Sequence, residues 1–117
     1  MPGIRDLVLA IRQRDGVDAA VVLGRDGLLI DSDVAANVDA EQVAAHVPSV
    51  LHAVEEMSHA AQRGAVRTQV VECERGLAVI TVLSADALLL VLVQPTANLG
   101  QLLYELRRHR ASIAALV

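Results

Sequence analysis

The chain contains no lysine, no phenylalanine and no tryptophan, and its 117 residues include one tyrosine, Tyr104, and one cysteine, Cys73. Each scarcity excludes something. Without aromatic side chains there is no stacking platform for single-stranded nucleic acid. A net charge of −4 supplies no basic field for a phosphate backbone, so no nucleic-acid partner is expected. A lone cysteine excludes an internal disulfide and any multi-cysteine zinc site, and it suits a reducing, cytoplasmic setting. Residues 1–14 lack the continuous apolar core of a signal peptide. The two most apolar runs, 77–83 and 87–93, are too short to span a bilayer, and Ser84 and Asp86 interrupt them, so no membrane insertion is expected.

What the chain has in excess is aliphatic surface. Hydrophobic residues make up 54% of it, above the share of an average soluble domain. Either a sheet is covered on both faces or a partner hides part of the apolar surface. The length suits one domain over residues 1–117.

The apolar spacing fixes an order of elements. Ile4, Leu7, Val8 and Ile11 share a helical face, predicting a helix over 4–14 that Asp15-Gly16 ends. Two short apolar runs, 19–23 and 28–30, flank Gly24-Arg25-Asp26-Gly27, whose Asp-Gly step is a strong hairpin signal; Asp31, Ser32 and Asp33 close the second strand. Residues 39–63 read as a long helix, with Val43, Val47, Val50, Leu51, Val54 and Met57 on one side. Glu41, His52, Glu55, Glu56, His59 and Arg63 occupy the other. Pro48 removes one helical hydrogen bond and disfavours the helical conformation at Val47, predicting a kink or a broken turn near His46. Strands follow at 66–74, 77–83 and 87–94, joined by turns short enough to demand antiparallel neighbours. Asn98 caps a closing helix with Gln101 three residues on, and Leu99, Leu102, Leu103 and Leu106 form its apolar stripe. Arg107, Arg108 and Arg110 favour the negative end of its dipole. The sum is an α+β fold in the order α-β-β-α-β-β-β-α: a five-stranded antiparallel sheet with helices on both faces.

The motifs that resemble catalytic chemistry fail on spacing. The Gly24–Gly27 segment lacks the Lys-Ser/Thr of a phosphate loop and precedes a strand, so it reads as a turn. His52 and His59 are seven residues apart, whereas a helical metalloprotease site needs its two histidines at i, i+4. His52, Glu55, Glu56 and His59 therefore read as a solvated face rather than a zinc site, which wants three or four ligands. Cys73 has no histidine nearby and reads as a small structural residue; Ser49, Ser58 and Ser84 belong to no nucleophile motif. No catalytic residue, metal or cofactor is expected.

Two segments carry a family likeness. Gly16-Val17-Asp18-Ala19-Ala20-Val21-Val22-Leu23-Gly24-Arg25-Asp26-Gly27-Leu28-Leu29-Ile30 is an apolar hairpin turning at Asp-Gly. Asn98-Leu99-Gly100 opens a helix that continues Leu-Tyr-Glu-Leu-Arg-Arg. In this order and at this length the pair resembles the roadblock/dynein light chain family, whose fold is roadblock/profilin-like. The resemblance implies a homodimer that extends the sheet edge to edge and lays the long helices side by side. It further implies a platform for a Ras-like small GTPase, bacterial members resembling the MglB-type regulator of a gliding-motility GTPase. Pro48 departs from that family's uninterrupted second helix.

The dimer also follows from the residues. The strand 66–74 reads as an edge with little lysine or proline to guard it and with Val70-Val71 at its middle, and Leu51 reads as lying beside the sheet-facing row. The expected dimer contacts are therefore Val43, Val47, Val50, Leu51, Val54, Ser58, Val70 and Val71. The expected partner contacts are Arg25, His52, Glu55, Glu56 and His59, with Arg25 at a hairpin tip either completing a turn or serving as an arginine finger. A structural subunit or small-ligand sensor is the alternative. Its pocket would need convergent polar groups, and the apolar strands offer little beyond Thr81.

Overall fold

The computed structural model describes residues 3–117. Its element order is α1 (Ile4–Arg12), β1 (Val17–Gly24), β2 (Leu29–Val34), α2 (Ala40–Ala60), β3 (Thr68–Cys73), β4 (Gly76–Val82), β5 (Ala87–Val93), α3 (Leu99–Arg108) and α4 (Arg110–Ala114). The strands form one antiparallel sheet in the order β2-β1-β5-β4-β3. The two most apolar strands, β1 and β5, therefore lie inside, flanked by β4, and β2 and β3 are the edges.

Because side chains alternate across a strand, the sheet splits its aliphatic residues between two cores. Val17, Ala20, Val22, Val79, Leu89, Val91 and Val93 face Val8 and Ile11 of α1, Leu102 and Leu106 of α3, and Ile113 of α4. Ala19, Val21, Leu23, Ile80, Leu88 and Leu90 face Ala44, Val47 and Leu51 of α2. This double cover accounts for most of the aliphatic excess, at about 1.5–3 kcal/mol for each large side chain fully removed from water.

The local signals operate as their chemistry dictates. Gly16 takes φ +82° just past α1, and Gly27 takes φ +87° in the β1–β2 turn, where the Asp26 carboxylate accepts from the Leu28 N–H at 3.0 Å. Asp39 caps α2 by accepting from Gln42 N–H, and Asn98 caps α3 by accepting from Gln101 N–H at 3.0 Å.

Four expectations are corrected. Helix α2 is one helix from Ala40 to Ala60 that continues through Pro48, with no broken turn near His46. The proline ring lies over the hairpin, where a Cβ at Gly27 would come 3.6 Å from its Cγ, so packing holds the turn that the missing N–H weakens. Strand β2 does not stop before Asp31-Ser32-Asp33 but runs through them to Val34, because α1 holds both carboxylates. Arg5 reaches Asp31 at 3.0 Å and Asp33 at 3.7 Å, and Arg12 reaches Asp33 at 3.4 Å while donating to the Val17 carbonyl at 2.8 Å. The closing helix is two helices broken at His109, so Arg110 opens α4 instead of ending α3; burial of Ile113 on the sheet sets the new direction. Finally, Val47 and Leu51 are 4% and 2% exposed and pack on the sheet. They form, with Ala44, the inward row of α2, and neither is available to a second copy.

Candidate functional site

Among the described residues, apart from Leu28 and Ile30 on the β1–β2 hairpin and Tyr104 and Val117 near the end of the chain, the large hydrophobic side chains left exposed gather on two elements. Val70 (39%) and Val71 (38%) lie at the middle of β3, and Val50 (41%) and Met57 (64%) lie on α2. Among the described residues, strand β3 pairs on one side only, with β4, in the register Thr68↔Thr81, Val70↔Val79 and Cys73↔Gly76. Its other side is a row of backbone donors and acceptors facing outward, the arrangement that recruits another strand.

Helix α2 has two flanks on either side of its buried row. One leans toward the β1–β2 hairpin: Pro48 and Ala45 lie against Gly27, and Glu55 meets Arg25 at 3.5 Å. The opposite flank, toward β4 and β3, carries Val50, Ala53, Met57 and Ala60, all exposed at helical spacing. Val43 and Val54 are half-buried between that flank and the core, Val43 packing against the sheet cluster. The exposed apolar flank of α2 is thus turned away from the hairpin, as β3 is the sheet edge farthest from it. Ser58 is half-buried, and its hydroxyl donates to the Gly64 carbonyl at 2.6 Å, closing the end of α2.

The polar residues expected to meet a partner gather on the hairpin side. Arg25 N–H donates to the Asp86 carbonyl at 3.0 Å, tying the hairpin tip to the β4–β5 turn, while its guanidinium turns back to Glu55. His52 and Glu56 pair at 3.1 Å on an exposed turn, and His59 is exposed on the same helix. Surface pairs of this kind contribute about 0.2–1 kcal/mol each. Among the described residues no three His, Cys, Asp or Glu side chains are grouped to hold a metal. Cys73 is exposed at the end of β3, not packed as a structural residue. No helix among the described residues is long and apolar enough to cross a membrane.

A five-stranded antiparallel sheet with one long helix on one face and terminal helices on the other is the arrangement that the hairpin and closing-helix motifs imply. The family model of the Roadblock/LC7 domain matches residues 4–93. The chain belongs to the Roadblock/LC7 family. An uncharacterized protein of Methanocaldococcus jannaschii, MJ0714, is 31% identical over 110 residues, covering 94% of this chain and 92% of that protein. The crystal structure of a Roadblock/LC7 domain from Streptomyces avermitilis superposes with a TM-score of 0.84 at 24% identity, covering 96% of this chain and 95% of that one. The gliding protein MglB from Thermus thermophilus superposes with a TM-score of 0.83 at 17% identity, covering 99% and 93%. At such identities the two structures establish a shared fold.

Within this roadblock fold, sequence reasoning missed Ala44 as a core residue, because alanine carries little hydrophobic signal, and so assigned Leu51 to the wrong row. It missed Ala53 and Ala60 for the same reason. It also missed that Arg63 and Arg67 lie beside Arg107 and Arg110, at the edge of β3. Nothing local could have found that, since about forty residues separate the two pairs.

Proposed function

We propose that the chain, taken as one domain over residues 1–117, is a non-catalytic homodimeric regulator or scaffold for a Ras-like small GTPase in the cytoplasm. The observations that carry the reading are the bare edge and the apolar helix flank, with Val70 and Val71 exposed on β3 and Val50 and Met57 exposed on α2. A second copy added at β3 would extend the sheet and satisfy its outward backbone groups. The same movement brings two α2 helices side by side along Val50, Ala53 and Met57, with Val43 and Val54 at the margin. Family membership supports this assembly, and a further similar structure, MglB with tetrameric arrangement, is that of an oligomer.

The partner face in this reading is the hairpin side of α2, with Arg25, His52, Glu55, Glu56 and His59. The protein acts by binding and repositioning the GTPase's own groups. Arg25 is a poor candidate for a finger, because its backbone and side chain are both engaged within the protomer, by Asp86 and Glu55. The test measures GTP turnover by a Ras-like GTPase of the same organism with and without the full chain. The proposal predicts binding and a changed turnover rate. Replacing Arg25 by Ala is expected to lower any stimulation less than tenfold, against the 10³–10⁵ of an arginine finger. Absence of any complex with the organism's small GTPases overturns the partner; a monomer in sedimentation at micromolar concentration overturns the dimer.

A further inference from the structure

The structure brings Arg63, Arg67, Arg107 and Arg110 around one open cleft of about 700 Å³ at the start of β3, with Ala65 and Thr68 completing its wall. No acidic residue lines it. None of these four arginines takes part in an ion pair among the described residues, and the Arg110 guanidinium finds only the Thr68 hydroxyl, at 3.5 Å. Four cations converging without a counter-charge, in a chain whose net charge is −4, make a local positive field that attracts an anion. Resting on the homodimer proposed above, we propose that this anion is the acidic end of β3 of a second copy, Glu72 first, and that the pairing fixes the register of the dimer.

Backbone parity restricts the possible registers. Arg67 O accepts from Val82 N at 2.9 Å, and hydrogen-bonded pairs alternate along an antiparallel ladder. Arg67, Gln69, Val71 and Cys73 therefore turn their backbone groups to β4, and Thr68, Val70 and Glu72 turn theirs to the open edge. A two-fold axis through an antiparallel pair must pass where a residue faces its own copy, since an axis through a single N–H···O bond would exchange donor and acceptor.

With Val70 facing Val70, Thr68 and Glu72 of opposite copies become hydrogen-bonded neighbours, all three with outward backbone groups. Directly opposed residues share a face, so Glu72 of the second copy arrives beside Thr68 and the Arg110 guanidinium. The alternatives are worse. With Val71 facing itself, Thr68 meets Glu74, which lies in the turn beyond β3 rather than on the strand, while Arg67 meets Arg75 and Glu72 meets a valine. With Glu72 facing itself, two carboxylates meet. With Gln69 facing itself, the overlap loses Glu72 and Cys73 to the segment before β3. The sequence Arg67-Thr-Gln-Val-Val-Glu-Cys-Glu74, basic at its start and acidic at its end, is self-complementary only when reversed upon itself. Each cleft is thus completed by the other copy.

The test is charge exchange in the full chain, read by sedimentation equilibrium. Glu72→Arg and Arg110→Glu are each expected to weaken dimerisation at least tenfold. An equimolar mixture of the two is expected to recover wild-type association, because each copy then offers the other an opposite charge at both clefts. Raising salt from about 50 to about 500 mM should weaken the wild-type dimer and strengthen association of Glu72→Arg, whose like charges it screens. Arg107→Glu, at an exposed position of α3, repeats the test without disturbing Thr68 should Arg110→Glu fail to fold. In a Cys73→Ser background, Val70→Cys should oxidise to a self-linked dimer faster than Val71→Cys, whose copies lie diagonally apart. Single variants that dimerise like wild type, or a mixture without recovery, overturn the charge pairing. Faster linking at position 71 overturns the register while the dimer stands. A wild-type chain that never dimerises overturns the parent reading and this one together.

Discussion

The two edges of this sheet face the same problem and meet it in opposite ways. At β2, Asp31 and Asp33 stand on the α1 face of the strand, and α1 reaches over them with Arg5 and Arg12, so the edge is both charged and clamped. At β3 the middle of the strand is Val70-Val71, each more than one-third exposed, and among the described residues the strand pairs with β4 alone. Charge on an edge strand discourages pairing and bare apolar backbone invites it. One sheet therefore carries a guarded end and an adhesive end. The contrast teaches that the exposed valines of β3 are a feature of one location, not a general looseness of the fold. Helix α2 repeats the asymmetry above the sheet, with a polar flank over the hairpin and an apolar flank toward β3.

The sharpest way to break the contrast is proline in β3. Val70→Pro removes an N–H that faces outward, so the β3–β4 ladder keeps its bonds while edge pairing is blocked. The expected result is a folded monomer, with dimerisation at least ~100-fold weaker in sedimentation. If Val70→Pro dimerises as well as wild type, the open edge is not where copies meet. A smaller effect is expected on the helix flank: Met57→Glu should weaken dimerisation about tenfold with little change in melting temperature, since the side chain is 64% exposed.

The smallest effect lies at the guarded edge. Arg12→Ala removes the Asp33 pair and leaves the Val17 carbonyl without its side-chain donor, and should cost about 1 kcal/mol in chemical denaturation. It should not change the association constant. A rise in association on losing Arg12 would show that α1 hides β2 from other chains as well as bracing it.

How far the sequence reveals this architecture depends on distance along the chain. The hairpin at Asp26-Gly27, the Asn98 cap and the edge position of the third strand were legible, because turn chemistry and alternation are local. The course of β2 through Asp31-Ser32-Asp33 was not, because a polar strand needs a partner to become one, and here the partner is a helix some twenty residues earlier. The two rows of α2 were half legible. Counting valines and leucines placed the apolar side, but only the sheet beneath decides that Ala44, Val47 and Leu51 turn inward while Val50 and Met57 stay out.

The residues alone determined the kind and order of the elements as far as the closing helix, and the surplus of aliphatic surface, since periodicity, caps and turns act within a few positions. Packing alone decided which of that surplus stays bare and which arginines end up side by side. Those outcomes depend on how faces brought together from distant segments cover one another, and no window along the chain contains both faces.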